Sequence, residues 1–367
     1  MDCLVRVFVG ALAVGATLSG NAGLPSITGE QRAQILELGP WPPAFRPDPD
    51  NAASGRAPAI ELGRLLFRDA RMSPVGYIGC VTCHQPDRAF TDAKARAHGL
   101  ADLPRNTPAL ANLRQQRWYG WGGASDSLRQ MAIRPIVDPR EIGGSAASVR
   151  SLFVREPALT ACYRAVFGVS PLARPQRTLA NVGRALAAYV ETLTSGRTPF
   201  DDFRDALASG DAMAAAAYPA EALRGLLLFL GAAGCSACHR GPSFSDGDFH
   251  PGAAPRASAE LADAGRFDDL RRLSESRRGA DAARLPAVTS ALRDQFRTPG
   301  LRNVTVTAPY LHDGRADSLH EAVRHASVAS GLAPSQVDDI VAFLHTLTDA
   351  LGARRDWIPS EPDEHCR

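Results

Sequence analysis

The sequence predicts a mostly α-helical protein made of two related halves. Three observations carry this reading. Apolar residues recur at helical spacing in several stretches, strand-like alternation is scarce, and a set of short phrases occurs twice in the same order.

The helical stretch Ala59 to Phe67 runs toward Cys80-Val81-Thr82-Cys83-His84, and the similar stretch Glu221 to Phe229 leads to Cys235-Ser236-Ala237-Cys238-His239. Each is followed by the same kind of phrase, Phe90-Thr91-Asp92 in one half and Phe244-Ser245-Asp246 in the other. Asn106-Thr107-Pro108-Ala109-Leu110 then corresponds to Arg297-Thr298-Pro299-Gly300-Leu301. Trp121 to Leu128 corresponds to His312 to Leu319, with Ser-Leu at the end of both. An internal duplication explains this order. Two further amphipathic stretches complete the pattern, one from Leu179 to Leu193 and one from Ser335 to Leu347, the latter with Ser335 as its expected N-cap. The units are expected to meet between Val166 and Pro175. That places the first at 59–170, the second at 171–352 and a tail at 353–367. Gly252 to Leu292 is a polar insertion, rich in arginine and alanine, with no assigned structure.

The chain has 367 residues, enough for two compact domains. It is 45% hydrophobic and 22% charged, as expected of a soluble globular protein. A formal net charge of +2 gives no broad basic surface, so nucleic acid is not an expected partner. At the N-terminus, Arg6, the apolar run Val7 to Leu18 and Gly20-Asn21-Ala22 read as a secretory signal covering 1–22. The run is shorter than the ~20 residues that span a bilayer, so no membrane anchor is expected. The mature chain should be soluble and periplasmic. The following segment, 23–58, is expected to be an extended lead-in, with Trp41-Pro42-Pro43 at its proline-rich centre.

Of seven cysteines, Cys3 lies in the signal and four lie in the two C-x-x-C-H motifs. Cys162 and Cys366 remain, either as a disulfide formed in an oxidising compartment or as one buried and one tail thiol. A C-x-x-C-H motif fits covalent haem c. Two thiols form thioethers to the porphyrin, and the next histidine ligates iron. Zinc would gather its ligands as one tetrahedral set, and a redox dithiol would not need the histidine. Two haems c are therefore expected, on Cys80, Cys83 and His84 and on Cys235, Cys238 and His239. His84 and His239 are the proximal ligands, and each half becomes a cytochrome c-like domain.

From about Leu62 to Leu347 the sequence resembles the bacterial dihaem cytochrome c peroxidases and their relative MauG. The resemblance rests on the two haem motifs, Asn106-Thr107-Pro108, Trp121, Pro139-Arg140-Glu141 and Thr298 to Leu319. It implies that the N-terminal haem reacts with hydrogen peroxide and the C-terminal haem stores or relays electrons. It implies that Trp121 lies between the haems and that Glu141 is the distal carboxylate, moving a proton between the peroxide oxygens. It gives His98 as a ligand that caps the resting haem and moves away on activation. Asn106, Thr307 and Pro309 match a calcium site between the domains, suited by its oxygen donors. Family members are often dimers, so a homodimer is implied.

Three positions depart from the family. Where the cytochrome c peroxidases proper carry an outer methionine ligand to the second haem and MauG a tyrosine, this chain has Ala326. The neighbouring His325 is the candidate substitute; otherwise that iron is five-coordinate or holds water. Met131 replaces a usual glutamine, and Ala124 a frequent arginine. These departures favour a MauG-like enzyme, which oxidises an exported partner protein through a high-valent dihaem state. The alternatives are a peroxidase reducing hydrogen peroxide with electrons from a small cytochrome or cupredoxin, and a dihaem electron carrier without catalysis.

Overall fold

The structure, a computed structural model, describes residues 26–251, 264–276, 285–326, 331–349 and Cys366. The expected signal at 1–22, much of the 252–292 insertion and nearly all of the 353–367 tail lie outside the described residues. Among the described residues the fold is mostly helical. The one sheet among the described residues is an antiparallel pair, β1 (Phe249–Pro251) with β2 (Gln295–Arg297), in which His250 faces Phe296.

The first core is built around α2 (Ala57–Arg68), α4 (Leu128–Val137), α5 (Ala146–Arg155), α6 (Pro157–Phe167) and α7 (Pro175–Val190). Between α2 and α4 lies the short helix α3 (Cys80–Cys83), which carries the first C-x-x-C. Leu62, Leu66, Val149, Phe153, Tyr163, Val182, Leu186 and Tyr189 form the centre of this core. The helices α2 and α7 approach so closely at Gly63 that a Cβ there would lie 2.0 Å from the Ala185 carbonyl oxygen. The helix α7 begins just beyond the expected boundary near 170. The apolar stripe of α7 packs into the first core, and Asn181 on it donates to the buried Tyr163 hydroxyl at 2.7 Å.

The second core joins α8 (Pro199–Ser209), α10 (Ala220–Leu230), α12 (Leu319–Ala326) and α13 (Pro334–His345) through Phe200, Leu226, Phe229, Phe244, Ile340 and Phe343. The helix α9 (Ala212–Ala216) bridges α8 and α10. Here Gly225 plays the part of Gly63, since a Cβ on it would lie 1.8 Å from the Asp339 carbonyl oxygen. The last helix starts at Pro334 with Ala333 as its cap, two residues before the expected Ser335 cap; proline at the first helical position explains the shift. Asp201 and Arg302, each 1% exposed, form a two-bond ion pair at 2.9 Å in this half.

The lead-in is not wholly extended. Thr28 and Gln31 form a reciprocal cap for α1 (Gly29–Glu37), whose Ile35 and the following Leu38 enter the second core. Past it, the Trp41 indole is buried and donates to Ser195 O at 2.9 Å. The structure also pairs Cys162 of α6 with Cys366 in a disulfide.

The insertion contributes α11 (Arg266–Ser276), which leaves its own half to pack beside the Trp121 loop. Arg266 lies between the rings of Trp118 (3.9 Å) and Phe249 (4.0 Å) and donates to the Gly122 and Gly123 carbonyls. Buried Asp269 accepts from Arg105 at 2.5 Å. Sequence patterning missed this helix because its inward face mixes Leu270 and Leu273 with the charged Arg266 and Asp269, whose partners lie in the other half.

Candidate functional site

Two cavities, one in each half, are the candidate sites. The first, about 500 Å³, is lined by Cys80, Cys83, His84, Met131, Arg134, Arg140 and Glu141. The second, about 730 Å³, is lined by Cys235, Cys238, His239, His250, Tyr310 and His312.

The proximal geometry is the same in both. His84 donates Nδ1–H to Phe90 O at 3.0 Å, and His239 donates Nδ1–H to Phe244 O at 3.0 Å. The carbonyl fixes the tautomer and leaves Nε2 with its lone pair for a metal. Phe90 and Phe244 hold these carbonyls from left-handed backbone, φ 60° and 53°. Burial lowers both imidazole pKa values, which keeps the rings neutral and able to ligate. Burial pushes the Cys80 thiol up to about 12 and those of Cys83 and Cys235 up to about 11. A redox dithiol or zinc site needs thiolates, so these environments suit thioether attachment better. The donor set and the cavity beside it fit a haem c at each site.

Around these motifs the halves continue to match. Asn112 and Asn303 both adopt left-handed backbone before a short 3-10 turn, at φ 65° and 60°. Tyr119 N donates to Ser125 O at 2.8 Å, and Tyr310 N donates to Ala316 O at 2.7 Å.

The outer walls differ. In the first cavity, Glu141 is largely buried and its pKa is raised, chiefly by that burial, with the Arg134 charge pulling the other way. It stands where the chain turns after α4, beside Leu100, whose N–H donates to Glu141 O at 3.0 Å. Asp268, Asp269 and Arg272 of α11 also line this cavity, a contribution the sequence did not reveal.

Trp121 borders both cavities, and its Nε1 donates to Asn106 O at 2.9 Å. Arg297 borders both as well and is 5% exposed. Its guanidinium donates to the Thr298 carbonyl, and burial lowers its pKa to about 10. A buried cation at this place suits a porphyrin carboxylate. Sequence reading missed Arg297 because a lone arginine carries no local signal.

Asn106, Thr307 and Pro309 all line the second cavity, and the Asn106 amide nitrogen donates to Lys94 O at 2.8 Å. That orientation leaves the amide oxygen as the atom able to face a cation. The other expected residues are placed elsewhere. The His98 side chain is 56% exposed and pairs with Asp102 at 2.6 Å, outside the residues lining the first cavity. His325 also fails to line its cavity. Its Nε2 lies 3.9 Å from Glu321, while Ala322, Val323 and Ala326 form the α12 wall. Helical geometry explains this, because residue 325 is rotated ~100° from residue 326. His325 is half-buried on α12 and lies outside the residues lining the second cavity in this structure. An unexpected cluster brings donor atoms of Cys238, Asp246 and His250 within 4.8 Å of one another, with His250 Nε2 2.8 Å from Asp246. Among the described residues, no helix is long and apolar enough to cross a membrane.

Comparison with known proteins agrees with this geometry. Residues 57–208 match the family described as di-haem cytochrome c peroxidase. The chain is 34% identical over 354 residues to the methylamine utilization protein MauG of Methylorubrum extorquens, covering 92% of this chain and 91% of that one. It is 31% identical to the cytochrome c551 peroxidase of Pseudomonas aeruginosa, covering 83% of this chain and 84% of that one. Among solved structures it is similar to a MauG-like protein associated with microbial copper homeostasis, with a TM-score of 0.68 at 25% identity, covering 88% of this chain and 97% of the other. With a C-x-x-C-H site lining each cavity and this coverage by relatives, the chain belongs to the di-haem cytochrome c peroxidase family and is a dihaem peroxidase-type oxidoreductase.

Proposed function

We propose that this chain is an exported, periplasmic enzyme of two cytochrome c-like units related by duplication, one haem in each. It reacts with hydrogen peroxide in the first cavity and oxidises a partner protein by way of the second, as a MauG-like enzyme does. The observation that carries the partner-oxidising reading is Ala326 in the α12 wall, because without a methionine ligand the second haem is a poorer acceptor from a small cytochrome. When bound, the haems supply iron that accepts peroxide oxygen and stores oxidising equivalents.

Around them the protein moves protons and excludes water. The Glu141 carboxylate takes the proton from the inner peroxide oxygen and returns it to the outer one, which leaves as water. Burial makes that carboxylate a better proton acceptor than an exposed glutamate. Arg134 opposes this and limits how far the pKa rises. Trp121, held through its indole N–H by Asn106 O, offers the aromatic path between the cavities. Met131 packs against the first core and donates no hydrogen bond at the wall it shares with Glu141. His98 gates the first site only if its loop moves, since here it is turned toward Asp102. A calcium ion held by the Asn106 amide oxygen and the Thr307 and Pro309 carbonyls would clamp the two halves where Asn106 N donates to His312 O at 2.8 Å.

Similarity to the Pseudomonas cytochrome c551 peroxidase supports a second reading, in which a small cytochrome or cupredoxin supplies the electrons. Steady-state assays with such reduced donors separate the two. Slow donor oxidation, alongside peroxide-dependent loss of tryptophan or tyrosine in a partner encoded nearby, is expected here. Rapid donor oxidation would favour the second reading. Absence of any peroxide reaction would leave a dihaem electron carrier.

A further inference from the structure

We propose that Asp269, carried on α11 from the second half, is a positioning residue of the peroxide site: it engages Arg134 and so limits how much of that cation's charge reaches Glu141. The proposal deepens the reading of Glu141 as the proton carrier and rests on it.

The Asp269 side chain is 2% exposed, and burying a carboxylate is costly unless it is paired. Two cations of the first half meet it. Arg105 Nη1 donates to Oδ2 at 2.5 Å, and Arg134 Nη2 stands 3.9 Å from Oδ1. The halves approach closely here, since a Cβ on Gly122, beside Trp121, would lie 2.3 Å from Oδ2. Arg266, one turn earlier on α11, is held by the Gly122 and Gly123 carbonyls. Asp269, Arg134 and Glu141 all line the first cavity. Among the charges that act on Glu141, Arg134 is the strongest and favours the carboxylate anion. Asp138 and Arg140, from the turn that carries Glu141, act more weakly and oppose each other. Other charged residues lining this cavity are Asp102, Arg105, Asp268, Arg272 and Arg297. An arginine shared between two carboxylates gives each less of its charge. Neutralising Asp269 leaves Arg134 to Glu141, which favours the anion and lowers the pH at which that carboxyl loses its proton.

The experiment uses the full-length ferric holoprotein. Infrared difference spectra, wild-type minus E141Q, isolate the protonated Glu141 carboxyl and give its titration midpoint. D269N, R134Q and the double variant are titrated in the same way, each against its own E141Q counterpart. D269N should lower the midpoint by about 0.5–1 pH unit, and R134Q should raise it by about as much or more. With Arg134 gone, D269N should shift nothing further. D269E, which keeps the charge, should titrate as wild-type does. An unchanged or raised midpoint in D269N would overturn the proposal, whatever the variant does to stability. So would an equal shift with and without Arg134, because Asp269 would then act by its own charge. If D269N does not fold, R105Q tests the same contact. Asp269, freed of its nearer partner, then takes more of Arg134, and the midpoint should rise. No rise, or an equal rise without Arg134, would overturn the proposal. The rate of reaction with peroxide over the same pH range is a separate reading. A rate midpoint that does not follow the Glu141 midpoint through these variants would overturn Glu141 as the proton carrier, and the infrared midpoints would still decide whether Asp269 acts on it through Arg134.

Discussion

The two cavities share a proximal side and differ on the other. In each, a half-buried histidine donates Nδ1–H to a phenylalanine carbonyl at 3.0 Å, and in each half a glycine lets two helices approach closely. Beyond that frame, the first cavity holds a half-buried carboxylate among arginines, and the second holds the apolar face of α12. One scaffold thus offers one site with a carboxylate on its far wall and one whose α12 wall carries no acid–base group. The second cavity's lining carboxylate among the described residues, Asp246, is already engaged by His250. The difference teaches that attachment geometry is a property of the fold, while reactivity is set by a few side chains on the far wall.

The largest expected effect tests that difference directly. E141Q should lower the rate of reaction with peroxide by about 10²–10⁴-fold while leaving haem content unchanged, as measured by stopped-flow absorbance. D246N in the second cavity should leave that rate within a few-fold of wild-type. The pH dependence follows from the same residue. With Glu141 as the proposed base, the rate should rise with pH as the carboxylate deprotonates. Because burial raises its pKa, that rise should lie above the range of an ordinary glutamate and be absent in E141Q.

The next effect is on stability and should belong to one half. D201A strands the Arg302 guanidinium, 1% exposed, in the second core and should cost about 3–5 kcal/mol in urea unfolding. No loss of stability would show that water reaches Arg302 once Asp201 is gone. A smaller effect should be shared by both halves. G63A and G225A each place a methyl group against backbone of the facing helix, so each should cost about 1–3 kcal/mol, or more where the helices cannot separate. A cost in one half alone would break the correspondence of the two helix pairs.

Much of this was legible in the sequence. The C-x-x-C-H motifs, the repeated phrases and the amphipathic stretches are local signals, and the helices and both proximal sites stand where those signals lie. Trp121 was legible because its motif recurs in register with His312 of the other half. What escaped were features made by tertiary contact. α11 turns charged residues inward, and Arg105 and Arg134 of the distant half explain Asp269. The place of α7 in the first core depends on a close approach that Gly63 permits, not on distance along the chain. The outward turn of His325 follows from helix rotation once Ala326 faces the cavity. His98 carried no local signal of its orientation, which is set by Asp102 four residues on.

The central claim is that peroxide reacts in the first cavity and that both haems share the resulting oxidising equivalents. One equivalent of hydrogen peroxide added to ferric holoprotein, with no electron donor and with absorbance followed into the near infrared, tests it most directly. The account predicts bleaching of the Soret band, a near-infrared band and slow recovery, all lost in E141Q. An unchanged ferric spectrum, with rapid peroxide consumption only after one haem is reduced, would contradict it.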